Sequence, residues 1–270
     1  MKINKINAVI TGATGGIGRS FAQHLVQSGA TIIMVGRDVI ALKDLQNELL
    51  TQMVVKPNQV HIFPCDLLKS EDRQGLVEHV ENQQFPVNTL INNAGDNEFA
   101  LLEDLSEQRI EKIMRLNTLT PMLLSRALIS HLSKQEQAQI VNIGSTFGSI
   151  GYPGYSAYCA SKYALRGFSE ALGRELADGP ISVKYLSPRA TQTSLNSANV
   201  MAMNKELKVA MDSTHVVAGQ LIKLLEGRRH ELFIGWPEKF FSKLNQLAPS
   251  LVGKSIIKQL PVIRRYAQLN

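Results

Sequence analysis

Residues 6–18 constrain the chain more than any other stretch. An apolar run, INAVIT (6–11), passes directly into Gly12-Ala13-Thr14-Gly15-Gly16-Ile17-Gly18, and the helical pattern RSFAQHLVQSGA follows. A short run that is apolar throughout fits a parallel strand buried on both faces. Strand, glycine-rich turn and helix, in that order, open a dinucleotide-binding unit. The glycines let the backbone approach a pyrophosphate, and the helix N-terminus offers N–H groups and partial positive charge. Gly12, Thr14, Gly15, Gly16, Ile17 and Gly18 are therefore candidate phosphate-loop contacts. The alternative is a plain glycine turn.

The alternation continues. ATIIMVG (30–36) ends in Gly36-Arg37-Asp38. An acidic residue at this strand end would hold the ribose 2′-hydroxyl of NAD. Gly36 stands there instead, and Arg37 can pair with a 2′-phosphate, so NADP(H) is favoured over NAD(H). Arg19 could assist; otherwise Arg37 only solvates the loop while Asp38 caps the next helix. QVHIFPCDL places Asp66 and Leu67 at a third strand end, where Asp66 either meets the adenine amino group or caps a helix. VNTLINNAG (87–95) closes on Asn92-Asn93-Ala94-Gly95, small residues that admit a cofactor beside asparagines able to tie neighbouring strands. A long helical stretch from Ser106 to about Ser133 carries Asn117 in its middle, a poor interior residue that implies a buried polar site or a distorted helix unless it faces solvent. QIVNIGS (139–145) ends at Ser145, and ISVKYLSP (181–188) and HELFIG (230–235) complete the pattern. It predicts an α/β fold: a doubly wound, mostly parallel, seven-stranded Rossmann-like sheet flanked by helices, with a helical C-terminal extension.

In YSAYCASK (155–162), Tyr158 and Lys162 lie four residues apart at a helix start, so both can face one site. An opposite charge within about 4–6 Å lowers a phenol's pKa from about 10 toward neutrality. The spacing thus predicts a tyrosine that exchanges a proton with a carbonyl or alcohol oxygen near pH 7. The same pair on an exposed face would do nothing.

Composition excludes other classes. With 270 residues, 44% of them hydrophobic, the chain can fill one large core. Cys65 and Cys159 lack metal-ligand spacing and fit reduced thiols, and the six histidines are scattered, so no metal is expected. The net charge of +6 is confined to the tail: from Arg228 onward there are eight basic and two acidic residues, against 21 and 21 before it. That argues against a nucleic-acid-binding face. The opening MKINKINAVITGATG has no secretory pattern, and no apolar run approaches the roughly 18 residues of a membrane span. A cytoplasmic protein is expected, with peripheral membrane contact left open.

In this order, TGATGGIG (11–18), NNAG (92–95), Asn117, Ser145, YCASK (158–162) and Pro188…Thr193 resemble the short-chain dehydrogenase/reductase family, in its single-domain branch, over residues 6–235. The glycine string alone also fits the extended branch that modifies sugar nucleotides; NNAG and the lack of a large C-terminal domain argue against it. The resemblance implies Tyr158 as general acid/base and Lys162 lowering its pKa and holding the nicotinamide ribose. Ser145 would bond the substrate oxygen, and Asn117 would hold a water linking Lys162 to solvent. Asn93 would lie near the ribose and Thr193 at the carboxamide, with Ala94, Gly95 and Pro188 also at the cofactor. It further implies a homodimer or homotetramer joined through the Asn117 and Tyr158 helices. The expected activity is NAD(P)H-dependent hydride transfer to or from a carbonyl/alcohol substrate that is expected to be apolar, with Tyr158 as general acid/base. The alternatives are reduction of a 3-oxoacyl thioester on acyl carrier protein or CoA, and non-catalytic NADPH sensing.

Arg189 follows Pro188 where the family usually has glycine, and could anchor an acidic substrate group or point to solvent. Residues 194–212 are the expected substrate lid, with Met201, Met203 and Met211 as adaptable apolar surface or as packing. Tyr152, Tyr155 and Tyr163 have no lysine four residues on and read as pocket wall or core. The organisation is thus 1–236, a dinucleotide-binding catalytic domain, and 237–270, a basic amphipathic extension. Phe240, Phe241, Leu244 and Leu247 keep helical spacing, a second set runs from Leu251 to Leu260, and Pro261 breaks it. Such helices could pack on the protein or lie on an anionic membrane.

Overall fold

The computed structural model describes residues 1–53, 55–193 and 195–269. The first apolar run is β1 (Asn7–Thr11), and the glycine turn leads into α1 (Gly16–Gln27). Then come β2 (Thr31–Gly36), α2 (Val39–Gln52), β3 (Val60–Pro64), α3 (Ser70–Glu81) and β4 (Thr89–Asn92). After α4 (Glu107–Met114) and α5 (Thr120–Leu132), β5 (Ala138–Ile143), α6 (Ser156–Glu175) and β6 (Ile181–Ser187) follow. α7 (Ala198–Glu206) and α8 (Thr214–Glu226) precede β7 (Glu231–Phe233). Among the described residues the strands form one seven-stranded sheet in the order β3-β2-β1-β4-β5-β6-β7, and every pairing is parallel.

Alternate residues of the strands feed two cores. Ala8 and Ile10 join Phe21 and Leu25 of α1, Leu45 of α2 and Leu221 of α8 on one face. Val9 turns to the other face, with Leu76 of α3, Leu128 of α5 and Leu172 of α6. Because both of their faces are buried, the central strands β1 and β2 are apolar at successive positions rather than alternating. The chain order reverses between β1 and β4, and a crevice opens there beyond the strand carboxyl ends.

The helical stretch expected to run unbroken from Ser106 to Ser133 is interrupted. A π turn, Arg115–Leu119, joins α4 to α5, and Asn117 is fully buried within it. Both signals implied by a mid-helix asparagine are therefore present, and the solvent-facing alternative is not.

The tail forms α9 (Glu238–Leu247), α10 (Pro249–Ile257) and α11 (Leu260–Ala267). Pro261 ends the preceding pattern, but it also lies in the first turn of α11, where a missing N–H costs nothing. Ile263 and Ala267 pack into a third cluster with Phe99, Tyr155, Val200 and Met203. Burying Ile263 alone contributes about 2–3 kcal/mol to that docking. The inner side of the tail thus packs on the body of the protein.

Candidate active site

A cleft of about 310 Å³ lies at the carboxyl ends of β1 and β4. Gly12 has φ +64°, and a Cβ there would stand 2.8 Å from the Ala94 Cα, so both its conformation and its space require glycine. At Gly18 a Cβ would lie 2.1 Å from the Gly12 carbonyl oxygen, so glycine is what lets α1 sit against the loop. Gly15 gives α1 no side-chain cap, which leaves first-turn N–H groups for a ligand. Gly12, Thr14, Gly15, Gly16, Ile17, Gly18, Arg37, Asp66, Leu67, Asn93, Ala94, Gly95, Tyr158, Lys162 and Thr193 all line this cleft. Pro188 does not. It lines the neighbouring cavity, and its carbonyl accepts from the Thr146 amide at 2.9 Å and the Thr146 hydroxyl at 3.3 Å.

Several expected partners are committed elsewhere. Arg19 pairs with Glu48 at 2.6 Å, so it does not assist Arg37. Asp38 caps α2, accepting from the amides of Ile40 and Ala41. Asp66 accepts from the Leu68 amide at 3.1 Å, closing a turn before α3, while still lining the cleft. Asn93 spends its amide hydrogens on the carbonyls of Thr11 and Gly12, so it shapes the loop. Asn92 ties β4 to β5 by donating to Asn142 Oδ1 at 2.8 Å.

Tyr158 and Lys162 occupy the first turns of α6 and share one face as their spacing requires, with the ammonium 5.7 Å from the ring centroid. Lys162 is buried and donates to the Ile143 carbonyl at the end of β5, at 2.9 Å. Ser145, two residues beyond, hydrogen-bonds the Tyr158 phenol and accepts from the Phe147 amide at 3.2 Å. The expected drop in the phenol's pKa does not occur. Burial pushes Tyr158 up to about 12, with the Ser145 hydrogen bond opposing it only in part, and burial pushes Lys162 down to about 8. Desolvation of the phenolate outweighs a cation a ring's breadth away that is itself desolvated.

Asn117 donates to the Asp96 carbonyl at 2.8 Å and to Ser161 Oγ at 2.9 Å, and accepts from the Asp96 amide at 2.8 Å. Both amide hydrogens are spent, so its side chain fastens the loop after β4 to α6. The sequence reading missed Ser161 and the ion pair of Asp96 with Arg109 at 2.5 Å that holds this loop. A serine inside a helix and an arginine thirteen residues from its partner carry no local signal.

A second cavity, about 360 Å³, adjoins the first. Its walls include Phe147, Tyr152, Tyr155, Val200, Met203, Phe241, Val252 and Ile256. Ile17, Gly144, Tyr158, Thr193 and Leu195 line both spaces, so Tyr158 stands at their junction. At the tail wall the Tyr152 hydroxyl donates to Gln259 Oε1 at 2.9 Å. Of the three lid methionines only Met203 lines this cavity, and it also packs the lid; Met201 and Met211 line a separate groove. Tyr163 is exposed and belongs to neither wall nor core. Ser194, where the expected lid begins, lies outside the described residues. Arg189 corrects both of its sequence readings: it is neither a spare anchor nor solvated. It binds Asp212 through two nitrogens at 2.8 and 3.0 Å, Glu238 at 3.2 Å and the Trp236 carbonyl at 3.0 Å.

The sequence profile described as short chain dehydrogenase matches residues 6–204. The chain belongs to the short-chain dehydrogenase family. As a short-chain dehydrogenase it is 30% identical over 187 residues to dehydrogenase/reductase SDR family member 7 of Homo sapiens, a match covering 69% of this chain and 55% of that protein. It thus spans little more than half the length of that relative. It is 31% identical over 208 residues to the 3-oxoacyl-[acyl-carrier-protein] reductase FabG of Buchnera aphidicola, covering 77% and 82% of the two chains. In fold it is similar to a short chain dehydrogenase/reductase from Burkholderia phymatum in complex with NAD (TM-score 0.83, 22% identity, 93% and 96% covered). A short-chain dehydrogenase from Sphingobium yanoikuyae in complex with NADPH gives a TM-score of 0.79 at 23% identity, with 92% and 95% covered.

Proposed function

We propose that this short-chain dehydrogenase interconverts a ketone or aldehyde and its alcohol with NADP(H), on an apolar substrate, with Tyr158 as general acid/base. The observation that carries the reading is the position of Tyr158 on the wall shared by a glycine-lined cleft and an apolar cavity. A dinucleotide suits the cleft because α1 is uncapped there and Gly95 has no Cβ to press on Asn117 Oδ1 and Lys162 Nζ, 3.2 and 3.6 Å from where it would stand. The nicotinamide, when bound, supplies the hydride. The protein supplies orientation and the proton. A phenol at about 12 is protonated at neutral pH, the form that gives a proton to a developing alkoxide. Ser145, hydrogen-bonded to that phenol, would hold the same substrate oxygen, and the buried Lys162 would offset the phenolate left behind. Arg37, exposed at the cleft rim beside Gly36, favours the 2′-phosphate of NADP(H).

A second reading, reduction of a 3-oxoacyl thioester, draws on the similarity to FabG. Arg189 no longer supports it, because two carboxylates occupy that guanidinium. A purely sensing role gives no reason to bury a lysine beside a tyrosine. A homo-oligomer would use the exposed Leu119, Met122 and Tyr163 of the α5 and α6 region. The test is NADPH and NADH oxidation across a panel of ketones and aldehydes, from short polar to long apolar. The reading expects turnover that rises with apolar length and prefers NADPH; a panel without turnover under either cofactor would overturn it.

A further inference from the structure

The tail has an inner side that packs on the protein and an outer side that the fold leaves bare. Along α9, Phe240, Lys243 and Leu247 recur at i, i+3 and i+7, and all three are exposed, Leu247 by 86%. Along α10 and just past it, Leu251, Lys254 and Lys258 repeat that spacing, with Ile257 beside them 63% exposed. Large apolar side chains so accessible are costly to keep in water, and their grouping on two contiguous helices marks an interaction face. Among the described residues Lys243, Lys254 and Lys258 have no ion-pair partner. The acidic groups near the tail are already engaged, Glu238 with Arg189 and Glu206 with Arg265.

We propose that this face docks on an anionic lipid surface, with the apolar side chains in the acyl boundary and the lysines at the headgroups. Charge decides between lipid and a second copy. A two-fold interface would set this patch against itself and bring each lysine row against its like. An anionic bilayer instead meets both components, burying the apolar residues and neutralising the lysines. No described helix is long and apolar enough to cross a membrane, so the attachment is to the surface. Docking would also orient the enzyme. Phe241, next to Phe240 on α9 and 37% exposed, lines the 360 Å³ cavity together with Val252 and Ile256, so the tail wall of that cavity would lie against the bilayer. The docking itself does not depend on the carbonyl chemistry proposed above.

The test is sedimentation of the full chain with phosphatidylcholine vesicles, with and without phosphatidylserine. The chain should pellet only with the anionic vesicles and be released by high salt. A Lys243→Gln/Lys254→Gln/Lys258→Gln variant should lose about a hundredfold in partitioning, at roughly fivefold per charge. Leu247→Asp/Ile257→Asp should also stay in the supernatant. Both variants should keep the wild-type melting temperature, and turnover of any water-soluble ketone the enzyme accepts, because their side chains project from the surface. Recovery of the wild-type chain in the supernatant, or equal pelleting with neutral vesicles, overturns the proposal. So does a lipid-free dimer that Leu247→Asp/Ile257→Asp converts to monomer, since a second copy would then own the face.

Discussion

Arg189→Met separates a clamp from a substrate anchor. The guanidinium joins the strand end at Pro188 to Asp212 and to the start of the tail through Glu238 and the Trp236 carbonyl. The side chains of Arg189 and Asp212 are only 16% and 11% exposed. Removing one member of a buried ion pair costs about 3–5 kcal/mol because the other charge is stranded. Residual solvent access here reduces that to about 2–3 kcal/mol. In a chain of this size the loss lowers the melting temperature by roughly 4–5 °C. The penalty is mostly the stranded carboxylate, so adding Asp212→Asn to Arg189→Met should recover part of it. Differential scanning calorimetry on the two single variants and the double variant closes the cycle, with a coupling of at least about 1 kcal/mol. A substrate anchor would behave otherwise: Arg189→Met would melt with the wild type and raise KM for acidic carbonyls alone. That result would refute the clamp.

Two further outcomes are expected. Arg37→Ala should raise KM for NADPH about 10–100-fold and leave NADH unaffected, since a charge-assisted contact to one phosphate is worth about 1.5–3 kcal/mol; parallel changes for both cofactors would remove Arg37 from 2′-phosphate recognition. Lys162 should make stability pH-dependent: the unfolded chain keeps its proton up to about 10.5, the folded chain only up to about 8. Below pH 8 both states are charged and the burial penalty is complete; from 8 to 10.5 it falls as pH rises, and above that it is gone. In chemical denaturation Lys162→Met should therefore be the more stable protein by roughly 3 kcal/mol at pH 7 and lose that advantage by pH 10.5. A pH-independent difference would show that Lys162 keeps an ordinary pKa in the fold.

What could be read in advance was local. The glycine turn, the i, i+4 pair on α6 and the out-of-place Asn117 each violate or satisfy a rule within a few residues; the first two line the cleft, and Asn117 lies buried behind it, fastening the loop after β4 to α6. Pairwise geometry between distant segments could not be read. Arg189 looked unpartnered because Asp212 and Glu238 lie 23 and 49 residues away. Asn93 and Arg19 looked available to a ligand until the loop carbonyls and Glu48 claimed them. The direction of the Tyr158 shift failed for a related reason: spacing supplies the distance to the cation, but burial of both groups comes from the whole fold. Pro261 was legible as an interruption, and the helix that carries it in its first turn needed the hydrophobic cluster beneath to hold Ile263.

The proton-donor role of Tyr158 is most directly tested by Tyr158→Phe, followed in a single turnover with pre-bound NADPH and a ketone from the active panel. The account predicts an unchanged NADPH dissociation constant and a loss of at least about a thousandfold in the hydride-transfer rate, the upper range for removing a general acid. A variant that binds NADPH equally and transfers hydride within about threefold of the wild-type rate would contradict it.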